Sequence, residues 1–145
     1  MALSRNARLI YQYLVHHVVP SKKVVSYGSV SGETAVPLGP AGGAVTEALY
    51  EIFRKCDERL LPPLSAVVVQ DDSEYDHGRH GMTGGGYLSA EAESPNLAGR
   101  RRDIGWERWR NKPRPKDEET WAMREMIQAH QNMVWDYPHP WPEEL

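Results

Sequence analysis

The chain has a single cysteine, Cys56, which excludes an intramolecular disulfide and fits a reducing cytoplasm. It has no apolar run approaching the roughly 18 residues of a membrane span, so no membrane partner is expected. The opening stretch MALSRNARLIYQYLVHHVV carries charge inside what would be the apolar part of a leader, and it offers no small-residue cleavage site, which reads against a secretory signal. Also missing are a phosphate-binding glycine loop with its lysine, a paired Cys-x-x-Cys and a Ser-His-Asp constellation. Catalysis is therefore not expected, and nothing requires a cofactor.

What is there suits one domain with a real core and an appended C-terminal element: 145 residues, 40% hydrophobic and 26% charged. Eleven prolines and twelve glycines, many in the second half, imply long irregular stretches. The net charge of −3 conceals a segregation. Over residues 100–116 eight basic side chains stand against Asp103 and Glu107, a balance of +6; over 117–145 seven acidic ones stand against Arg124, a balance of −6. Because charges more than about 10 Å apart are largely screened at 0.1 M salt, the basic block can meet phosphates, or the two blocks can pair with each other.

Leu9, Ile10, Tyr13, Leu14 and Val18 recur at helical spacing over residues 4–19, with Ser4 as N-cap and Pro20 as the stop. Residues 22–25 read as a short strand, and residues 27–33 as a second helix capped by Ser26. Pro37, Gly39 and Pro40 then enforce a turn. The clearest period lies over residues 41–59, where Val45, Ala48, Leu49, Ile52, Phe53 and Cys56 mark one helix face. That stripe places Cys56 in the interior as an inert thiol. LPPLSAVVVQ predicts a buried strand from Leu64, DDSEYDHGRHGMTGGG a polar loop, and MTGGGYLS the returning strand of a hairpin. Asp117 can cap a last helix through Trp135, with Ala122, Met126, Ala129 and Met133 on one line and Met123, Ile127, His130 and Val134 on the next. The YPHPWPEEL tail cannot be helical, and its tryptophan is expected to staple the extension to the core.

Three helices followed by a hairpin predict an α+β fold, a winged helix-turn-helix with a β-hairpin wing over residues 1–90. Residues 91–145 would form a Trp-rich arm and C-terminal helix packed on the same domain. The loop DDSEYDHGRHG gathers Asp71, Asp72, Glu74, Asp76, His77 and His80, but a glycine-bearing loop tip lacks the rigid support that metal ligands need, so no metal site is expected.

In this order and spacing, VVSYG at residues 24–28, GGAVTEAL at 42–49, LPPLSAVVV at 61–69 and HGMTGGGY at 80–87 resemble the C-terminal domain of O6-alkylguanine-DNA alkyltransferases and the alkyltransferase-like proteins. The corresponding family motifs are V-T-T-Y-G, R-A-V-G-x-A-L, P-C-H-R-V-(I/V) and G-x-L-G-G-Y. The resemblance covers about half the chain, residues 14–88. It puts Pro63 where the family has its alkyl-accepting cysteine, Leu64 at the activating histidine, Ser65 at the next arginine, and Gly43 at the arginine that enters the base stack. Alkyl transfer needs both the sulfur and its base, so the resemblance implies a relative without the reaction. Of the family's functional residues, the resemblance leaves only Tyr27 in place, at the tyrosine that helps rotate the target nucleotide.

The expectation is a non-catalytic, cytoplasmic protein that contacts double-stranded DNA. A helix N-terminus presents unpaired N–H groups to an anion, and Gly42 and Gly43 leave that end of the third helix bare. Ser26 and Tyr27 open the preceding helix, and Thr46 lies one turn into the third. Lys22, Lys23, Arg79, Arg100, Arg101 and Arg102 can supply phosphate contacts that set register rather than read sequence. The alternative is a protein-binding adaptor or inhibitor, of the kind a phage or mobile element encodes, with the acidic C-terminal region seated on a basic protein partner.

Overall fold

Ser4 opens the first helix, α1 (Arg5–Tyr13), by accepting a hydrogen bond from the Ala7 amide on its side-chain oxygen at 3.2 Å, the capping role expected of it. The structure, a computed structural model, describes residues 3–39, 43–70, 74–75, 80–81, 83, 94 and 117–145. The Ser4 hydroxyl and backbone N–H both donate to the Glu51 carboxylate, at 2.8 and 2.7 Å. The cap therefore also ties α1 to the third helix, α3 (Gly43–Glu58).

The helix expected through Val19 is α-helical only to Tyr13. Leu14–Val18 is π-helical, with the Val19 N–H reaching back to the Leu14 carbonyl, and Val19–Ser21 is a 3-10 turn. Pro20 supplies the reason: its ring has no N–H and would press on the carbonyl four residues back, and a widened turn ahead of it makes room. Lys22 then adopts a left-handed conformation, φ 53°. The strand expected over 22–25 is shifted accordingly to β1 (Val25–Ser26). Ser26 caps α2 (Tyr27–Thr34), which ends where Ala35 turns left-handed at φ 61°.

The predicted stripe of α3 is buried in full: Val45, Ala48, Leu49, Ile52, Phe53 and Cys56. It faces α1, whose Ala7, Ile10 and Tyr11 are completely covered, as are Leu14 of the π-helical continuation and Val30 of α2. Burying a large apolar side chain stabilises by about 1.5–3 kcal/mol, so this three-helix seam holds the molecule's shape.

The strand expected from Leu64 is corrected at its start. Leu64–Val67 forms a 3-10 turn, closed by the Ala66 N–H on the Pro63 carbonyl at 2.9 Å, and only β2 (Val68–Val69) is extended. β2 pairs in parallel with β1, Val25 opposite Val68 and Ser26 opposite Val69. A parallel pair needs a long crossover, which α2 and α3 provide. A separate antiparallel pair, β3 (Glu74–Tyr75) with β4 (His80–Gly81), falls inside the stretch read as loop. Most of MTGGGYLS lies outside the described residues. The chain is thus α+β with small two-stranded sheets.

α4 (Asp117–Trp135) begins at the residue expected to cap it and lies on the Leu64–Val67 turn. Of its two expected lines, the one through Ile127, His130 and Val134 is buried, together with Met126, Gln131 and Trp135; Ala129 is exposed. The Gln131 side-chain amide donates to the Ala66 carbonyl at 2.8 Å, satisfying a main-chain acceptor that the short 3-10 turn leaves over.

Because Ser4 serves both helix and helix pair, Ser4→Ala is expected to lower unfolding free energy by about 1–2 kcal/mol, whereas Ser4→Thr keeps most of it. Urea unfolding checks this; an unchanged midpoint for Ser4→Ala would contradict the dual role.

Candidate nucleic-acid interface

The candidate surface is built from two short entries into helices. Lys22 and Lys23 are exposed, while Val24 beside them is buried and anchors the loop. The Ser26 side-chain oxygen accepts from the Ser29 N–H at 3.1 Å, and its hydroxyl donates to the Ser29 Oγ at 3.0 Å. Ser26 is therefore engaged as a cap, and one lone pair remains for any ligand. Tyr27 is half-buried, its ring packed against the core.

At the second entry, Gly43 is the first residue of α3 and has φ +45°, a conformation that disfavours side chains by roughly 1–2 kcal/mol. A Cβ there would lie 3.6 Å from the Pro37 carbonyl oxygen, an ordinary contact, so the backbone angle rather than space explains glycine. The stretch after α2 thus folds against the start of α3. Thr46 is half-buried and Glu47 exposed.

The structure places Gly43 beside Pro37 and Leu38, which follow α2, whereas Tyr27 stands at the opposite end of that helix. At 1.5 Å per residue about 10 Å of helix separates the two ends of α2. Gly42, Arg79, Arg100, Arg101 and Arg102 lie outside the described residues, as do Asp71, Asp72, Asp76 and His77 of the loop with metal-like composition. Among the described residues no group of three His, Cys, Asp or Glu side chains is placed to hold a metal ion. Nor is any described helix long and apolar enough to cross a membrane.

Where the sequence resemblance would put a nucleophile, its base and an arginine, Pro63, Leu64 and Ser65 are all buried, on a segment overlaid by α4. Cys56 is buried too. Desolvation pushes its thiol from 9.0 up to about 12, only partly offset by a hydrogen bond with the Leu64 backbone. Burial likewise raises the Tyr11 hydroxyl from 10.0 to about 12, with Cys56 adding to the rise and Arg59 opposing it.

One feature had no counterpart in the sequence reading, and a second was expected only as a tryptophan staple, which Trp141 provides by packing against the core. A groove of about 570 Å³ is lined by Leu9, Gln12, Tyr13, His16, His17, Glu33 and Thr34, between α1, its π-helical continuation and the end of α2. Gln12 and His16 are hydrogen-bonded at 2.9 Å, and the Tyr13 and His17 rings lie 5.8 Å apart. These are four-residue spacings, visible in the sequence as Gln12/His16 and Tyr13/His17. The second feature is a clamp on the C-terminal segment by Tyr11, Gln12 and Arg59, bonds that span more than 80 residues and leave no local pattern.

No protein-family model, curated protein or solved structure matches the chain.

Cys56 and Tyr11 both hold their protons more tightly in the folded state, so the unfolded chain ionises first as pH rises. Their stabilising effect is complete below about pH 9 and is lost as pH climbs from there toward about 12. The melting temperature is expected to fall through that window, and Cys56 to resist a thiol reagent at about pH 8 until the protein is unfolded. Rapid labelling of the native protein, or a flat alkaline stability profile, would contradict the buried placement.

Proposed function

We propose that this chain is a non-catalytic DNA-binding protein, a winged helix of the cytoplasm that meets duplex phosphates with α2 and the start of α3. The observation that carries the reading is the glycine start of α3, where Gly43 takes φ +45° and brings no side chain. Gly43 and Thr46 are half-buried and Glu47 is exposed, while the described C-terminal segment is fastened near the other end of the same helix, at Arg59. A bare helix start offers N–H groups and the positive end of the helix dipole to an anion.

Lys22, Lys23 and Tyr27 supply the second contact region. About 10 Å of duplex axis carries roughly six phosphate charges, so one duplex face reaches both ends of α2. Ser26 contributes by setting the direction of α2, and Gly42, Arg79, Arg100, Arg101 and Arg102 extend the cationic contacts in this proposal. Buried Pro63, Leu64 and Ser65 offer no nucleophile and base pair, which supports binding without chemistry.

One observation favours a second reading, an adaptor or inhibitor that docks on a basic protein. The Glu143 and Glu144 side chains are exposed although their backbone carbonyls are held, which leaves two carboxylates facing outward.

Duplex affinity is expected to fall linearly with log salt, by roughly 0.9 per neutralised phosphate, and Lys22→Ala with Lys23→Ala to reduce that slope by about 1–2. Fluorescence anisotropy with a labelled duplex reads both. A salt-insensitive affinity, or a slope unmoved by the double substitution, would overturn the proposed face. The adaptor reading instead expects binding to a basic protein that weakens on Glu143→Gln with Glu144→Gln.

A further inference from the structure

Of the side chains lining the groove between α1, its π-helical continuation and the end of α2, three are engaged by the protein itself. The Gln12 amide donates to the Glu143 carbonyl, while its oxygen pairs with the His16 ring at 2.9 Å. The Thr34 hydroxyl donates to the Val30 carbonyl at 2.6 Å and accepts from the Val36 N–H at 3.3 Å. Left over are the Glu33 carboxylate, the Tyr13 phenol, the His17 imidazole and the side chain of Leu9, which is 41% exposed.

Among the described residues of the lining Glu33 is the sole acid, and no lysine or arginine accompanies it. Among the described residues it also makes neither an ion pair nor a hydrogen bond. Its charge nevertheless reaches across the groove: the Tyr13 hydroxyl is raised above its ordinary 10.0 by burial first and by Glu33 second. On the opposite wall the Tyr13 and His17 rings lie 5.8 Å apart at 32°, which makes one broad aromatic surface.

An uncompensated carboxylate facing an aromatic wall, with an aliphatic contact beside them, is complementary to a flat cation on an alkyl stem. Guanidinium meets each demand, because its fork matches a carboxylate, its plane stacks on rings, and it is more weakly hydrated than an ammonium. Such a stem lies along apolar surface while its head stays with the charge, and Leu9 supplies that surface. A metal ion fits less well, since among the described residues no three His, Cys, Asp or Glu side chains are placed to hold one. At about 570 Å³ the groove matches pockets that enclose whole ligands rather than a single functional group. It therefore has space for the peptide that carries an arginine.

We propose that this groove binds an arginine side chain of a partner polypeptide. Glu33 pairs with the guanidinium, Tyr13 and His17 stack on its plane, and Leu9 covers its stem. None of these four residues is among the duplex contacts proposed above, so the two sites stand or fall separately.

The probe is acetyl-Gly-Arg-Gly-amide, titrated into the full-length protein at about pH 7.5 and followed by the ring-proton shifts of Tyr13 and His17. Saturable shifts at both rings are expected, with a dissociation constant on the order of 1 mM. Glu33→Gln changes an exposed side chain and is expected to weaken binding about fivefold. The lysine peptide is expected to bind more weakly than the arginine peptide, and the citrulline peptide, which keeps the shape without the charge, not to saturate. Unmoved rings, equal affinity for Glu33→Gln, or a citrulline or lysine peptide that binds as well as the arginine one overturns the proposal. Butylguanidinium separates a partner's side chain from a free small molecule: tighter binding of the tripeptide supports the polypeptide partner, and binding of butylguanidinium alone overturns it.

Discussion

Val45, Ala48, Leu49, Ile52, Phe53 and Cys56 occupy one face of α3 and are all buried, and this seam against α1 is the constraint on which the other features rest. Six apolar positions at helical spacing fix the rotation of α3 about its axis, because turning the helix would expose them at about 0.8 kcal/mol for each methylene wetted. With the rotation set, Glu47 faces outward and Thr46 half outward. Glu51 points at Ser4 and closes the link to α1. The Lys55–Glu58 pair at 3.7 Å is largely exposed on the glutamate side and contributes little. Apolar burial and two charge-assisted hydrogen bonds therefore decide this packing.

The same helix separates two kinds of surface. Near its C-terminal end Arg59 holds a carbonyl of the proline-rich segment, together with Tyr11 and Gln12 of α1. Near its N-terminal end Gly43 turns with a positive φ against the stretch after α2. The fastened end has its main-chain acceptors satisfied by side chains, whereas the first turn of a helix retains N–H groups that α-helical bonding does not use. Polyanion binding is proposed at one end, and the chain's own C-terminal segment is held at the other. This division keeps the Glu143 and Glu144 carboxylates near Arg59, at the end of α3 opposite Gly43.

Much of the helical frame was legible because it follows from local chemistry. Ser4 and Ser26 act as the caps their positions suggested, the α3 stripe is buried residue for residue, and Cys56 is an inward thiol. The strands were not legible: β1 and β2 have two residues each, too few to show a period, and their parallel pairing joins Val25 to Val68 across 43 positions. The valines at 67–69 read as a strand, yet the Pro62–Pro63 pair and the Ala66 hydrogen bond turn the chain before it extends. At the candidate site, the role of Ser26 as cap followed from its place before the second helix, whereas the third helix, expected from residue 41, is described from Gly43. The separation of Tyr27 from Gly43 depends on the direction of α2, which no local pattern reports. Arg79 and the arginines at 100–102 lie outside the described residues.

The most direct measurement is a titration of isotope-labelled protein with a short duplex, followed by backbone amide chemical shifts. The account expects the largest changes at residues 22–29 and 43–47, with Tyr11, Gln12, Arg59 and the 137–145 segment unmoved. Changes concentrated at the clamp, or none anywhere at saturating duplex, would contradict it.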